Sequence, residues 1–260
     1  MMGLSRVHVQ YEVIRKEKFM LTIKNLTKRY KGSNKGIHAL NLQIDAGDIY
    51  AFIGHNGAGK TTAIKCIVGI HGVDEGEVLI DGVSIQQEPM KCKQQIAYIP
   101  DNPDLYEYLT GIQYLNFIAD IFEVSAIDRE ARIQKYADAF EITASLGDLI
   151  SSYSHGMKQK LAIISALVHA PKLLILDEPF VGLDPKAAII LKDIMHSICD
   201  EGGAIFFSTH VLDVAEKLCN KVAIIKNGTL IASGKMEDIV TKGQSLESIF
   251  MEVVDSGKTD

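Results

Sequence analysis

The residues with the clearest chemical potential lie in the stretch GHNGAGKTT, which has the spacing Gly-x-x-x-x-Gly-Lys-Thr. Glycines in such a loop let backbone N–H groups turn inward around an anionic oxygen, because no Cβ lies in the way. The preceding segment DIYAFI is typical of a buried strand, and the following KTTAIKCIV is typical of a helix. A helix N-terminus adds positive potential. The strand–loop–helix order therefore predicts a nucleotide phosphate site.

The side chains of this loop have separate expected roles. Lys60 is placed to reach the β- and γ-phosphates, the Thr61 hydroxyl to bind Mg²⁺, and Thr62 to add a phosphate donor. A chance glycine-rich turn is the alternative, and the flanking strand and helix make it the weaker one. The residues expected to contact the nucleotide here are Gly54, Asn56, Gly57, Ala58, Gly59, Lys60, Thr61 and Thr62.

Two later strand-like segments also end in chemically active residues. KLLILDEP places Asp177 and Glu178 at a strand end, where ligands of α/β sheets bind. Asp177 can hold Mg²⁺ through water. Glu178 can orient or deprotonate an attacking water, or it simply caps the strand end. His210 ends AIFFSTH; a lone histidine is more often structural, but beside these strand ends it is a candidate sensor of the γ-phosphate.

A sheet must bring these strand ends together. Short apolar segments alternate with helical ones, which predicts an α/β fold with a mainly parallel, buried sheet. From about residue 101 to 169 the pattern becomes helical, as in GIQYLNFIADIF, where apolar residues recur at steps of three and four. This stretch is expected to be a helical block inserted into the sheet domain.

The composition favours a globular protein and disfavours some function classes. The 260 residues are 47% hydrophobic and carry a net charge of −6, with no long basic run. Dedicated nucleic-acid binders usually show a basic excess, so no nucleic-acid partner is expected. No apolar segment reaches the roughly 20 residues of a membrane span. We expect a cytoplasmic protein or one peripheral to a membrane.

The beginning of the chain differs from the rest. Residues 1–19 lack turn signals and a continuation into the core, and no continuous apolar stretch marks them as a secretory signal. Met20 then opens the strand-like alternation MLTIKNL. We expect residues 1–19 to be an extension that is either non-native or disordered, and residues 20–260 to form a single domain.

The segment YSHGMKQK has several interpretations by itself. Ser154, His155 and Gly156 precede the helical run LAIISALVHA. They could form a catalytic Ser-His pair, or Ser154 could cap the helix. A serine donor and a glycine at a helix N-terminus could also contact phosphate, since the helix end is positive.

Taken in order, the motifs resemble those of the nucleotide-binding subunit of an ATP-binding cassette (ABC) transporter, of the bacterial ABC-2-type exporter kind. The resemblance covers roughly residues 20–252. Tyr30 resembles the aromatic that stacks on adenine, YIPDNP the loop that touches the membrane partner, and YSHGMKQK the family signature, usually LSGGQ. LLILDEP resembles the Mg²⁺ and base strand, VGLD the dimer loop, and His210 the switch histidine.

This resemblance implies an architecture and a reaction. The fold would be a P-loop NTPase (RecA-like) core with a mainly parallel sheet, an antiparallel β subdomain and an α-helical subdomain inserted at about 101–169. The reaction would be ATP hydrolysis with ATP and Mg²⁺ as cofactors. Thr61 and Asp177 would hold the metal. Lys60, Glu178 and His210 would be catalytic. In the family two copies face each other, so Ser154 and Gly156 of one would close over the ATP of the other.

The chain also departs from the family pattern. His155 stands where the usual signature has glycine, and Asp101 where glutamine is common. We expect Asp101 to couple the site to a partner but to contact Mg²⁺ differently or not at all.

The expected partners follow from the same resemblance. They are an integral membrane permease and a second ATPase subunit, identical or different, at the inner face of the cell membrane. A soluble ABC ATPase acting on a non-membrane partner is the alternative. The resemblance to exporters alone favours export over import, and the transported substrate stays open.

Overall fold

The computed structural model describes residues 19–32, 35–241 and 243–255. Phe19 already begins the first strand and pairs with Asp45. The expectation of an N-terminal extension otherwise falls on residues 1–18, which lie outside the described residues.

The strands alternate with helices along most of the chain, as the sequence pattern predicts. Within the described residues the strands are β1 Phe19–Arg29, β2 Gly36–Asp45, β3 Ile49–Ile53, β4 Glu75–Ile80, β5 Val83–Ser84, β6 Ile96–Ile99, β7 Leu173–Asp177, β8 Ala204–Thr209, β9 Lys221–Lys226 and β10 Thr229–Lys235.

The strands form two sheets. The larger has the order β10-β9-β3-β8-β7-β6, in which only the β9–β10 pair is antiparallel. Every residue of β3, β7 and β8 is buried, as expected for central strands covered on both faces. The smaller sheet, β2-β1-β4-β5, is antiparallel. The predicted mainly parallel sheet with a separate antiparallel sheet is confirmed.

The helices pack on this framework. Among the described residues they are α1 Lys60–Ile67, α2 Pro89–Lys93, α3 Gly111–Ile121, α4 Ala126–Ala139, α5 His155–Leu167, α6 Pro185–Asp200, α7 Leu212–Leu218, α8 Met236–Ile239 and α9 Leu246–Asp255. Helices α3, α4 and α5 fill the stretch between β6 and β7 that was expected to be helical. In the described part of the chain, no helix has both the length and the apolar character needed to cross a bilayer.

The larger sheet has a separate apolar core on each face. Successive side chains of a strand point to opposite faces. Ala51 of β3 belongs to a buried cluster with residues of α3 to α9, while Phe52 belongs to one with residues of α1, β1, β2 and β4. Helices α3 to α9 thus cover one face, and α1 with the antiparallel sheet covers the other.

Strand register decides which residues meet at the edge of the sheet. Asp177 of β7 lies opposite Ser208 of β8, and Ile53 of β3 lies opposite Thr209. The carboxyl ends of these three parallel strands are therefore level. Glu178 and the phosphate loop leave the sheet at the same edge.

Candidate active site

A cavity of about 420 Å³ opens at this edge of the sheet, a size suited to a small ligand. We call it the phosphate-loop cavity, because it is lined by Gly59, the last residue of the loop, and by Lys60, Thr61 and Thr62, which begin α1. Its lining residues are Tyr30, Lys35, Gly36, His55, Asn56, Gly57, Gly59, Lys60, Thr61, Thr62, Asp101, Asp177 and Glu178.

The phosphate loop needs glycine where it turns into α1. Gly59 is the N-cap residue and has φ of 108°, a conformation that side chains rarely adopt. A Cβ here would also lie 2.8 Å from Cδ1 of Ile37. The loop is fixed by two backbone hydrogen bonds, from Ala58 N to His55 O at 3.0 Å and from Gly228 N to Ala58 O at 2.7 Å.

Lys60 connects this loop to the end of β7. Its side chain is only 7% exposed, and its Nζ donates to the Gly54 carbonyl oxygen at 2.7 Å. The same Nζ lies 3.6 Å from Oε1 of Glu178. A buried ammonium requires such partners, since desolvating an unpaired charge is costly. The contacts place the charge at the cavity wall, where phosphate oxygens would meet it.

Asp177 is fully hydrogen-bonded although it is 1% exposed. Thr61 Oγ1 donates to its Oδ2 at 2.6 Å, and the Ser208 hydroxyl donates to its Oδ1. A hydroxyl and a carboxylate are hard oxygen donors of the kind Mg²⁺ prefers, and Mg²⁺ sites commonly combine one or two carboxylates with substrate phosphates. The pair Thr61 and Asp177 therefore fits this metal.

Glu178 and His210 form a pair beside Asp177. The His210 Nδ1 lies 3.0 Å from Oε2 of Glu178, and the His210 backbone N–H donates to the same oxygen at 3.3 Å. Glu178 has φ of 50°, a strained conformation of the kind often found at functional sites. Its backbone N–H donates to the Ser208 carbonyl at 3.1 Å, which helps to hold this conformation.

Asp101 and Tyr30 also reach the cavity. Asp101 is exposed, and its Oδ1 accepts the N–H of Asn102 at 2.9 Å. Tyr30 is 39% exposed and makes an edge contact with His71, with ring centroids 6.4 Å apart. The structure thus places both residues at the cavity that the phosphate loop lines.

The signature residues have a different position. Within the described residues, Ser154 and Gly156 do not line the phosphate-loop cavity. Ser154 is the N-cap of α5, and its hydroxyl accepts the N–H of Met157 at 3.3 Å. The helix-cap interpretation is therefore realised, and it leaves the hydroxyl proton available to a further acceptor.

His155 packs on the dimer loop, residues 181–184, rather than pairing with Ser154. Gly182 has φ of 81°, and a Cβ there would lie 2.6 Å from both Cδ2 and Nε2 of His155. A Cβ on Gly156 would lie 3.2 Å from the Gly182 carbonyl oxygen. These contacts fix the signature against the dimer loop of the same chain.

An ion pair strengthens the same junction. Lys160 Nζ lies 2.8 Å from Oδ2 of Asp184, the N-cap residue of α6. The Lys160 hydrogen bond, with a second one from the Ala187 N–H, holds the pKa of Asp184 below its usual value. Helices α5 and α6 are thus joined at their N-terminal ends.

Comparison with known proteins identifies the family. The family model described as "ABC transporter" matches residues 37–181. The chain belongs to the ABC transporter family. It is 37% identical over 222 residues to the uncharacterized ABC transporter ATP-binding protein YhcH of Bacillus subtilis, covering 85% of this chain and 72% of that protein.

Two further comparisons agree with this assignment. The ABC-type transporter ATP-binding protein EcsA of Bacillus subtilis is 32% identical, with 90% of this chain and 96% of EcsA covered. A solved structure of an ATP-binding subunit of an ABC transporter has a TM-score of 0.86 at 35% identity, covering 90% of this chain and 99% of that one. The chain is therefore an ATPase that serves as the ATP-binding subunit of an ABC transporter, and its P-loop fold is confirmed.

Sequence reasoning missed four residues that hold or line this cavity. They are Ser208, His55, Lys35 and Gly36. Ser208 had a usable signal, because AIFFSTH and KLLILDE were both predicted to end at the same sheet edge. His55 had a signal too, because it is the first variable position of the motif Gly-x-x-x-x-Gly-Lys-Thr. For Lys35 and Gly36 the sequence offers no comparable signal, since neither position is fixed by the motif spacing.

The Glu178→Gln variant should bind ATP but hydrolyse it at least about 100-fold more slowly, because an amide cannot accept the proton of the attacking water. ATP affinity and phosphate release measure the two effects separately. Glu237→Gln, at an exposed residue of α8, is the matched control and should keep the full rate. A Glu178→Gln rate close to that of the unchanged protein would remove Glu178 as the base.

The packing of His155 on Gly182 predicts non-additive stability changes. Gly202 is the control position, because it has φ of 86° but a Cβ there would meet nothing within 4 Å. Gly202→Ala should therefore lower the free energy of unfolding through backbone strain alone, by about 1–2 kcal/mol, and Gly182→Ala should lower it by more. In a His155→Gly background, the decrease in unfolding free energy caused by Gly182→Ala should be smaller by at least about 0.5 kcal/mol. Urea unfolding of the four proteins tests this; simple additivity would show that the two residues do not touch.

Proposed function

We propose that this chain is the ATP-hydrolysing subunit of an exporter, working as a pair of ATPase subunits coupled to a separate membrane permease at the inner face of the cell membrane. The observation that supports ATP hydrolysis is the convergence of Lys60, Asp177, Glu178 and His210 on one edge of the sheet. Export is favoured by the resemblance of the motifs to those of exporter subunits. ATP is the substrate and Mg²⁺ the metal. Nucleic acid is not among the proposed partners.

The metal would be held by Thr61 and Asp177, whose Oγ1 and Oδ2 atoms lie 2.6 Å apart. When bound, Mg²⁺ would neutralise charge on the phosphate oxygens during transfer.

The chain's own residues supply the remaining chemistry. Lys60, with the backbone N–H groups of the phosphate loop, stabilises charge on the β- and γ-phosphates. Glu178 accepts a proton from the attacking water at Oε1 or Oε2. His210, 3.0 Å from Oε2, orients that carboxylate and is the proposed sensor of the γ-phosphate. Tyr30 at the rim would stack on the adenine ring.

A second subunit would complete the site. Ser154 and His155 are exposed at the N-terminal end of α5, away from this chain's own cavity. Such an end favours an anion, so it is suited to the γ-phosphate held by a facing subunit. Val181 of the dimer loop is 47% exposed and would lie at the same contact. The facing subunit is either a second copy of this chain or a different ATPase subunit.

The proposed docking surface for the permease is an aromatic cluster that follows Asp101 in the chain. Tyr106 stacks on Tyr108 with centroids 5.9 Å apart and contacts Phe117 at 5.6 Å. All three rings are exposed, Tyr108 by 75%. Ordinary packing explains the neighbouring Tyr114, which is partly buried, but it does not explain rings that face solvent.

The Ser154→Ala variant should bind ATP normally as an isolated subunit yet hydrolyse it at least about tenfold more slowly, because the hydroxyl acts on the nucleotide of the facing subunit. Lys60→Ala should instead lose ATP affinity in the isolated subunit. Dilute nucleotide titration and phosphate release distinguish the two. Ser151→Ala, also exposed, is the control. Equal loss of affinity in the Ser154 and Lys60 variants would contradict the action across subunits.

Purification of the tagged chain from its native membranes in mild detergent tests the partner. A polytopic membrane protein in stoichiometric amount is expected, and Tyr108→Ala should reduce its recovery while Met90→Ala, an equally exposed apolar residue on α2, should not. Mass spectrometry identifies what is bound. Recovery of a soluble partner, or of none, would favour a soluble ABC ATPase acting on a non-membrane partner.

A further inference from the structure

Helix α9 packs against the phosphate loop. The ring of Phe250 meets the ring of His55 in an edge-to-face arrangement, with centroids 4.9 Å apart and planes at 61°. This is a favourable geometry for an aromatic pair. Phe250 is 6% exposed, whereas His55 lines the phosphate-loop cavity. A helix far along the chain therefore contacts the wall of the nucleotide site.

The first turn of α9 is firmly anchored. The Leu246 N–H donates to Oε2 of Glu216 at 2.7 Å, and the Leu246 side chain is fully buried. Ser245 and Ser248 exchange hydrogen bonds of 3.1 Å, each hydroxyl accepting the other's backbone N–H. This reciprocal cap satisfies donors that a helix start leaves free. Helix α9 thus has a fixed position relative to α7, which carries Glu216.

Helix α9 contacts the phosphate loop through Phe250 and contacts α7 through Leu246. Both of these elements are close in the chain to residues of the ATPase site. Helix α7 begins two residues after His210. His55 belongs to the turn of the phosphate loop, since its carbonyl oxygen accepts the Ala58 N–H at 3.0 Å. Holding the His55 ring restrains this turn before any nucleotide binds. A loop that is already ordered binds its ligand more tightly, because less conformational entropy is lost on binding.

We propose that Phe250 is a positioning residue of the ATPase site: through His55 it holds the phosphate loop in its nucleotide-binding conformation, and α9 thereby sets the affinity for ATP. Phe250 acts through His55 and does not itself touch the nucleotide. The inference rests on the nucleotide site and ATPase activity, and is independent of the exporter assignment, of the membrane partner and of the second subunit.

The test uses the full chain and its Phe250→Ala, Phe250→Leu, His55→Ala and Phe250→Leu/His55→Ala variants. MgATP affinity and the separate kcat and KM values are the readouts, with urea unfolding to follow stability. Phe250→Leu keeps an apolar side chain, so it should remain folded while losing the ring contact. Met251→Ala, on the exposed side of the same helix, is the control and should match the unchanged protein.

We expect Phe250→Ala and Phe250→Leu to raise the Kd and KM for MgATP about three- to tenfold, with a smaller change in kcat. His55→Ala should produce a similar rise, and the double variant should lose no further MgATP affinity, because both substitutions remove the same ring contact. Unchanged affinity in the Phe250→Leu variant, or losses that multiply in the double variant, would overturn the inference. If the unchanged protein failed to bind MgATP, the nucleotide site itself would be wrong.

Discussion

The buried carboxylate of Asp177 is the constraint on which the site depends. A charged group that is 1% exposed is stable only if its oxygens are bonded, because an unpaired buried charge costs several kcal/mol. Thr61 of α1 and Ser208 of β8 supply those bonds. One side chain therefore fixes the helix of the phosphate loop, the end of β7 and the end of β8 relative to one another.

The positions of the other residues proposed as catalytic depend on this fixed edge. Glu178 leaves β7 in a strained conformation that hydrogen bonds to Ser208 maintain, and this conformation places its carboxylate between Lys60 and His210. In this arrangement the Glu178 carboxylate can accept a proton, and the buried Lys60 ammonium can balance negative charge on phosphate oxygens. Under the proposed function these groups form a preorganised electrostatic environment, in which little reorganisation is needed when charge moves to the phosphate oxygens. The same chain also carries the signature on α5, joined to the dimer loop through His155 on Gly182 and Lys160 on Asp184.

Much of the fold and of the nucleotide site was predictable, because the signals are local. The glycine spacing around Lys60 encodes a loop through backbone geometry, and the apolar segments before Asp177 and His210 encode buried strands. Parallel strands end at the same edge, so the meeting of these residues follows from the strand pattern alone. The cap at Ser154 was likewise visible, since it depends on residues within one turn.

The sequence by itself determined the order of elements, the phosphate loop and the chemical group at the strand ends. Only the tertiary structure decided that Ser208 bonds Asp177, that His155 covers Gly182 and that Phe250 meets His55. These partners are distant in sequence or lie on separate elements. Periodicity specifies which face of a helix or strand is buried, but it does not specify which residue of another element lies against that face. Packing and register, which depend on the whole chain, make that choice.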